Sequence, residues 1–119
     1  MKVQVNSDNH VVVDKDAIHD IVTQLESDLE RFASEITRVE LHLSDENSRE
    51  RGGADDIRCM IEARLAGRQP VSVEARSSSE SQAVNDASQA MMRRLASILE
   101  REATLDRRRA REASRQDVE

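Results

Sequence analysis

The chain has 119 residues, enough for one domain around a single modest core and too few for a second folded unit. Its 37% hydrophobic and 35% charged residues lie in the globular range, and with Phe32 as the lone aromatic the core must be aliphatic. The net charge of −6 argues against a generic, strongly basic nucleic-acid binder, no apolar run is long enough for a membrane helix, and no signal-peptide pattern opens the chain, so a cytoplasmic location is expected.

Met1 to Ser7 alternates, with Val3 and Val5 on one face and Lys2, Gln4 and Asn6 on the other, the pattern of a half-buried strand. From Asp14 to Ala33 the period changes. Ile18, Ile21, Val22, Leu25, Leu29 and Phe32 form one apolar stripe at three- and four-residue spacing, and Asp14 is placed to cap the helix N-terminus. The period returns to two over Ile36 to Ser44, where Val39, Leu41 and Leu43 point inward and Arg38, Glu40 and His42 outward. Asp45 to Asp55 is polar, carries Gly52 and Gly53, and reads as a loop.

Ile57, Cys59, Ile61, Ala63 and Leu65 then alternate with Arg58, Met60, Glu62, Arg64 and Ala66 up to Gly67. A short strand follows with Val71, Val73 and Ala75, entered through Pro70. Two capping boxes compete to start the last helix, Ser77 with Glu80 and Ser79 with Gln82. That helix carries Val84, Ala87, Met91, Leu95, Ile98 and Leu99 on one face, and the pattern fades after Ala103 or Leu105. From Asp106 onward almost nothing apolar remains, so the tail is a solvated continuation of the helix or disordered. The expected fold is α+β in the order β-α-β-β-β-α, a four-stranded mixed sheet with two helices packed on one face and a mixed-charge surface on the other.

No motif for catalysis emerges. A phosphate-cradling glycine loop, a nucleophile elbow and a zinc-protease histidine pair are all missing from the sequence. His10, His19 and His42 share no spacing and read as surface histidines. Asp45, Glu46, Asn47, Asp55 and Asp56 faintly echo a calcium loop, but Arg49 stands where an oxygen ligand is needed, so the segment reads as solvated. Cys59, the sole cysteine, sits between Ile57 and Ile61 and reads as a small buried hydrophobe. Neither a cofactor nor a metal nor a small-molecule substrate is expected, and a small RNA-processing or metal enzyme is a distant third reading.

Charge is unevenly spread. Residues 1–90 hold 10 Lys/Arg against 18 Asp/Glu, whereas residues 91–119 hold 8 against 6, which moves any phosphate contact toward the C-terminus. Arg107, Arg108 and Arg109, with Arg111 and Arg115, have two readings: guanidiniums that clamp RNA phosphates bidentately, or an exposed helix in which Glu102, Asp106 and Glu112 supply i,i+4 partners. Arg93 and Arg94 form a smaller cluster beside the buried stripe. Base-stacking platforms are lacking, so RNA would be held by shape and phosphate.

The element order, together with Met1 to His10, Asp28 to Phe32, the strand from Ile36 to Asn47, the strand from Cys59 to Gly67 and the helix from Ser79 to about Leu99, resembles the ribosome hibernation-promoting factors, also called ribosome-associated inhibitors or sigma-54 modulation proteins. The resemblance covers roughly residues 1 to 102. It implies a short-form, non-enzymatic stress factor that occupies the messenger channel of the small ribosomal subunit, binds its rRNA and blocks translation. It also implies a hibernation-factor-like α+β domain over residues 1–103, with 104–119 as a charged helical extension or disordered tail, and no C-terminal domain for ribosome pairing. Arg31 and Arg93 match basic positions of the family's two helices, and Arg94, Arg101, Arg107, Arg108 and Arg109 complete the expected RNA-binding set. The chain departs from the family where Ala96, Ser97, Ile98 and Leu99 replace a basic stretch. The acidic balance suggests the alternative, a protein-interaction or regulatory module of the same fold that has lost ribosome binding and takes a protein partner.

Overall fold

The computed structural model describes residues 1–8, 13–46 and 57–116. His10, the acidic loop with Arg49, Gly52, Gly53, Asp55 and Asp56, and the last three residues of the tail lie outside the described residues. Four strands, β1 (Lys2–Ser7), β2 (Ile36–Asp45), β3 (Ile57–Leu65) and β4 (Val71–Ser77), and two helices, α1 (Lys15–Asp28) and α2 (Glu80–Gln116), follow the expected order. The sheet order is β1-β2-β3-β4, with β1 parallel to β2 and the other pairs antiparallel.

The alternating strands meet in register, so their apolar residues form continuous rows. Val5, Leu41, Ile61 and Val73 make one row, and Val3, Val39, Ala63 and Val71 the next. A one-residue slip would turn every one of these side chains into water, which is why the period of two specifies the pairing. Leu25, Leu29 and Phe32 cover this dry face on the β1 side, and Ala83, Val84, Ala87, Met91 and Leu95 cover it over β3 and β4.

Because β1, β2 and β4 point the same way, the helices that follow β1 and β4 both run back along the sheet and lie parallel. Two contacts tie them at matching levels. Ser88 Oγ donates to Asp28 Oδ2 at 2.7 Å, and Gln24 Nε2 donates to Asn85 Oδ1 at 3.5 Å.

Asp14 caps α1 as expected, its carboxylate accepting from the Ala17 N–H at 2.8 Å. The helical stripe read as far as Ala33, but α1 ends at Asp28 and a 3₁₀ turn takes over Glu30–Phe32. The Phe32 and Ala33 N–H groups donate to the Leu29 and Glu30 carbonyls, three residues back. This tighter winding brings Leu29 and Phe32 to the same side and turns the chain toward β2. At the start of α2 Ser79 rather than Ser77 caps: the Gln82 N–H donates to Ser79 Oγ at 3.2 Å, while the Gln82 amide donates onward to Asp86 at 2.8 Å and Ser77 is still in β4, opposite Ile57.

α2 is 37 residues long, about 55 Å at 1.5 Å per residue. Its buried residues end at Leu95, Ile98 and Leu99 are half-buried, and Leu105 is already 42% exposed. Beyond that point every described side chain is in solvent. The projecting helix explains a radius of gyration of 18.5 Å, where a compact chain of this length would have about 13 to 14 Å.

Candidate nucleic-acid interface

The arginines fall into two groups that the sequence does not separate. On the open sheet face each guanidinium has a carboxylate. Arg38 Nε lies 2.8 Å from Glu40, Arg64 Nε 3.3 Å from Glu62 and Arg58 Nη2 2.7 Å from Glu74, while Arg76 pairs with Glu46 and Glu74. The hydrogen bond between Arg58 and Glu74 raises the arginine pKa and holds the carboxyl below its usual range. The mixed-charge face is thus internally neutralised.

The second group behaves differently. Arg93, Arg94, Arg101, Arg108, Arg109, Arg111 and Arg115 are exposed along α2, and none has an acidic partner among the described residues. Arg107 is exposed as well, and its guanidinium donates to Thr104 Oγ1 at 3.2 Å. Arg31, on the 3₁₀ turn, stacks its guanidinium 4.4 Å from the centroid of the Phe32 ring and also lacks a carboxylate among the described residues. The i,i+4 pairs with Asp106 and Glu112 that the sequence offers do not form, and Glu102 is taken by another residue.

Helix geometry orders the exposed guanidiniums. Arg94, Arg101, Arg108 and Arg115 recur every seven residues, so they line one stripe that drifts by only about 20° per step and spaces its charges about 10.5 Å apart. Arg93, Arg107 and Arg109 stand about 100° to either side of that stripe. From Arg93 to Arg109 the axial distance is about 24 Å. Arg31 belongs to a different element. The Asp28–Ser88 bond sets the end of α1 level with the third turn of α2, and Arg31 follows just beyond it.

The remaining titratable groups do not converge. His19 is exposed on α1, and His42 Nε2 lies on the open sheet face 3.6 Å from Glu40. Among the described residues no group of three His, Cys, Asp or Glu side chains is arranged to hold a metal. Cys59 is fully buried, and burial pushes its thiol up to about 12, as expected of a packed core residue rather than a nucleophile. No helix among the described residues is long and apolar enough to cross a membrane.

Two polar contacts have no counterpart in the sequence reading. Ser88 is fully buried inside the apolar stripe of α2, and its position between Val84, Ala87, Met91 and Leu95 was the available signal. Arg68 gave none: it follows Gly67 in the turn after β3, and its carboxylate partners, Glu35 and Glu102, lie far away in the sequence.

No family model matches the chain, and no curated protein matches it in sequence. Solved structures do match its fold. The crystal structure of the N-terminal domain of Thermus thermophilus Protein Y is 19% identical and superimposes with a TM-score of 0.61 over 79% of this chain and 94% of that one. A ribosomal subunit interface protein from Coxiella burnetii is 14% identical, with a TM-score of 0.62 over 82% of this chain and 97% of that one. The fold expected from the resemblance to hibernation-promoting factors is therefore the fold the chain has.

Proposed function

We propose that this chain is a cytoplasmic, non-catalytic ribosome-associated factor that binds rRNA of the small ribosomal subunit and blocks translation in resting or stressed cells. The fold shared with a ribosomal subunit interface protein and with Protein Y supports the ribosomal target. The observation that carries the reading is the partition of arginines. Guanidiniums on the sheet are neutralised by neighbouring carboxylates, whereas those on α2 and the 3₁₀ turn keep their charge for an outside anion. In this reading Arg31, Arg93, Arg94, Arg101, Arg107, Arg108 and Arg109 contact phosphates. Residues 1–103 form the folded domain, and 104–119 form a charged extension that reaches along the RNA.

A second reading has its own observation. The exposed side of α1 and its flanking turn bears Asp14, Asp16, Asp20, Glu26 and Glu30 against Lys15 and Arg31, so this half of the helical face repels RNA and suits a basic protein. Co-sedimentation of the purified protein with small ribosomal subunits, beside an Arg93→Ala/Arg94→Ala variant, separates the two. Stoichiometric binding that weakens in the variant and with added salt is the expected result. If nothing pellets with the subunit even at low salt, rRNA is not the target and the protein-partner reading stands.

A further inference from the structure

Where α2 leaves the sheet, one side chain holds it. Arg68 Nε donates to Glu102 Oε1 at 2.7 Å, and Nη2 donates to Glu102 Oε2 at 2.8 Å, a bidentate fork. Its Nη1 donates to Glu35 Oε2 at 2.8 Å and to the Ala66 carbonyl at 3.1 Å. Every nitrogen of the guanidinium is engaged. The geometry starts one residue earlier, where Gly67 takes φ +70, a conformation L side chains rarely adopt, and turns the chain so that Arg68 faces α2. The Ala66 N–H, bonded to the Glu35 carbonyl at 3.0 Å, fixes the same turn to the start of β2.

The position of this clamp matters more than its energy, which solvent exposure keeps small. Leu95 is the last fully buried residue of α2, and past Glu102 only Thr104 among the described side chains is even half-buried. The segment after the clamp, residues 103–116, is about 21 Å of unsupported helix. A free helix of that length is marginal in water and keeps its shape only by continuing an anchored one. A change in angle at Glu102 is also carried along the lever: over the roughly 7.5 to 10.5 Å to Arg107, Arg108 and Arg109, a tilt of about 20° displaces them by about 3 to 4 Å.

We infer that Arg68, through Glu102 and Glu35, is a positioning residue that aims the arginine-bearing end of α2 at its anionic target; the inference rests on the RNA-binding reading for the target but not for the clamp itself. Two measurements test it. The first attaches spin labels at Ser72→Cys on the exposed face of β4 and Ser114→Cys on the projecting helix, leaving the buried Cys59 untouched, and reads the distance distribution between them. It is expected to be narrow in the parent, broad in Arg68→Ala, equally broad in Glu102→Gln, and narrow again when Arg68→Glu and Glu102→Arg are combined with Glu35→Gln. An unchanged distribution in Arg68→Ala and Glu102→Gln overturns the inference.

The second is a double-mutant cycle of binding to purified small ribosomal subunits. Replacing Arg107, Arg108 and Arg109 with alanine lowers affinity by at least about tenfold, and Arg68→Ala lowers it by a comparable factor. Combining them costs little more than either alone, because a misaimed tail has no contacts left to lose. Losses that simply add would show that Arg68 does not act through the tail. Should the parent protein fail to bind the subunit, the proposed function falls, while the distance measurement still decides whether Arg68 aims the helix.

Discussion

The division between neutralised and free arginines makes a quantitative prediction about salt. If Arg31, Arg93, Arg94, Arg101, Arg107, Arg108 and Arg109 each neutralise one phosphate, the slope of log affinity against log salt is about −5 to −6. Raising salt from about 50 to about 200 mM then lowers affinity by about 10³- to 10⁴-fold. Replacing Arg107, Arg108 and Arg109 with alanine makes that slope shallower by about 2 to 3. Replacing Arg38, Arg64 and Arg76 changes the net charge equally but removes guanidiniums already paired with Glu40, Glu62, Glu46 and Glu74. Since charges more than about 10 Å from the bound strand are screened, the sheet variant keeps the parent slope. Pelleting of small subunits over a salt series measures all three proteins. If both triple variants lose the same amount of slope, net charge rather than pairing governs binding and the reasoning fails.

Further predictions concern what holds the arginine-bearing helix in place. Leu41→Ala empties the middle of the core row and should cost about 3 kcal/mol, lowering Tm by roughly 12 °C in a thermal melt; a shift of only a degree or two would mean that this row is not the centre of the core. Ser88→Ala leaves the Asp28 carboxylate without its hydroxyl donor and is expected to lower stability by about 1 to 2 kcal/mol in urea, where a neutral effect would show that the link between the helices is not stabilising. Glu74 and Glu102 are held below their usual 4.5 by their arginine partners, so the stabilisation they supply is complete above that pH and lost as pH falls through their lower folded values. The urea midpoint of the parent should therefore drop between pH 7 and about pH 3, with a smaller drop in Arg68→Ala; equal drops would count against the Arg68–Glu102 pair.

The fold was readable because its strands have one dry and one wet face. Val39, Leu41 and Leu43 alternate with Arg38, Glu40 and His42, and each strand bears the same mark, so period alone fixed where the sheet lay. Element ends were less legible. Nothing local to Leu29 shows that the helix must tighten there, since the reason is the distance still to be covered to β2. Ser77 and Ser79 compete equally as caps until β4 is known to extend to Ser77 opposite Ile57. The site was the least legible part. Arginines look alike in a sequence, and whether one is free depends on partners such as Glu74 for Arg58 and Glu102 for Arg68, which only the fold brings within reach. In the sequence Glu102 is one of the local partners open to the tail arginines; its capture by Arg68 leaves those arginines with one carboxylate fewer.

That capture follows from how each element presents charge. Residues two apart in a strand share a face, so Arg38–Glu40, Arg64–Glu62 and Arg76–Glu74 pair along their own strands while Arg58 reaches diagonally to Glu74, and these groups neutralise one another. A helix beyond the edge of its sheet has neighbours only three and four residues away, and such pairs contribute about 0.3 to 0.5 kcal/mol, below RT. The arginines of residues 106–116 therefore satisfy no requirement of the fold: they bury nothing, and among the described residues they hold no carboxylate. Their cost is mutual repulsion along a helix that only its anchored half keeps in shape. A polyanion such as an RNA strand removes that repulsion and leaves the sheet, already neutral, undisturbed.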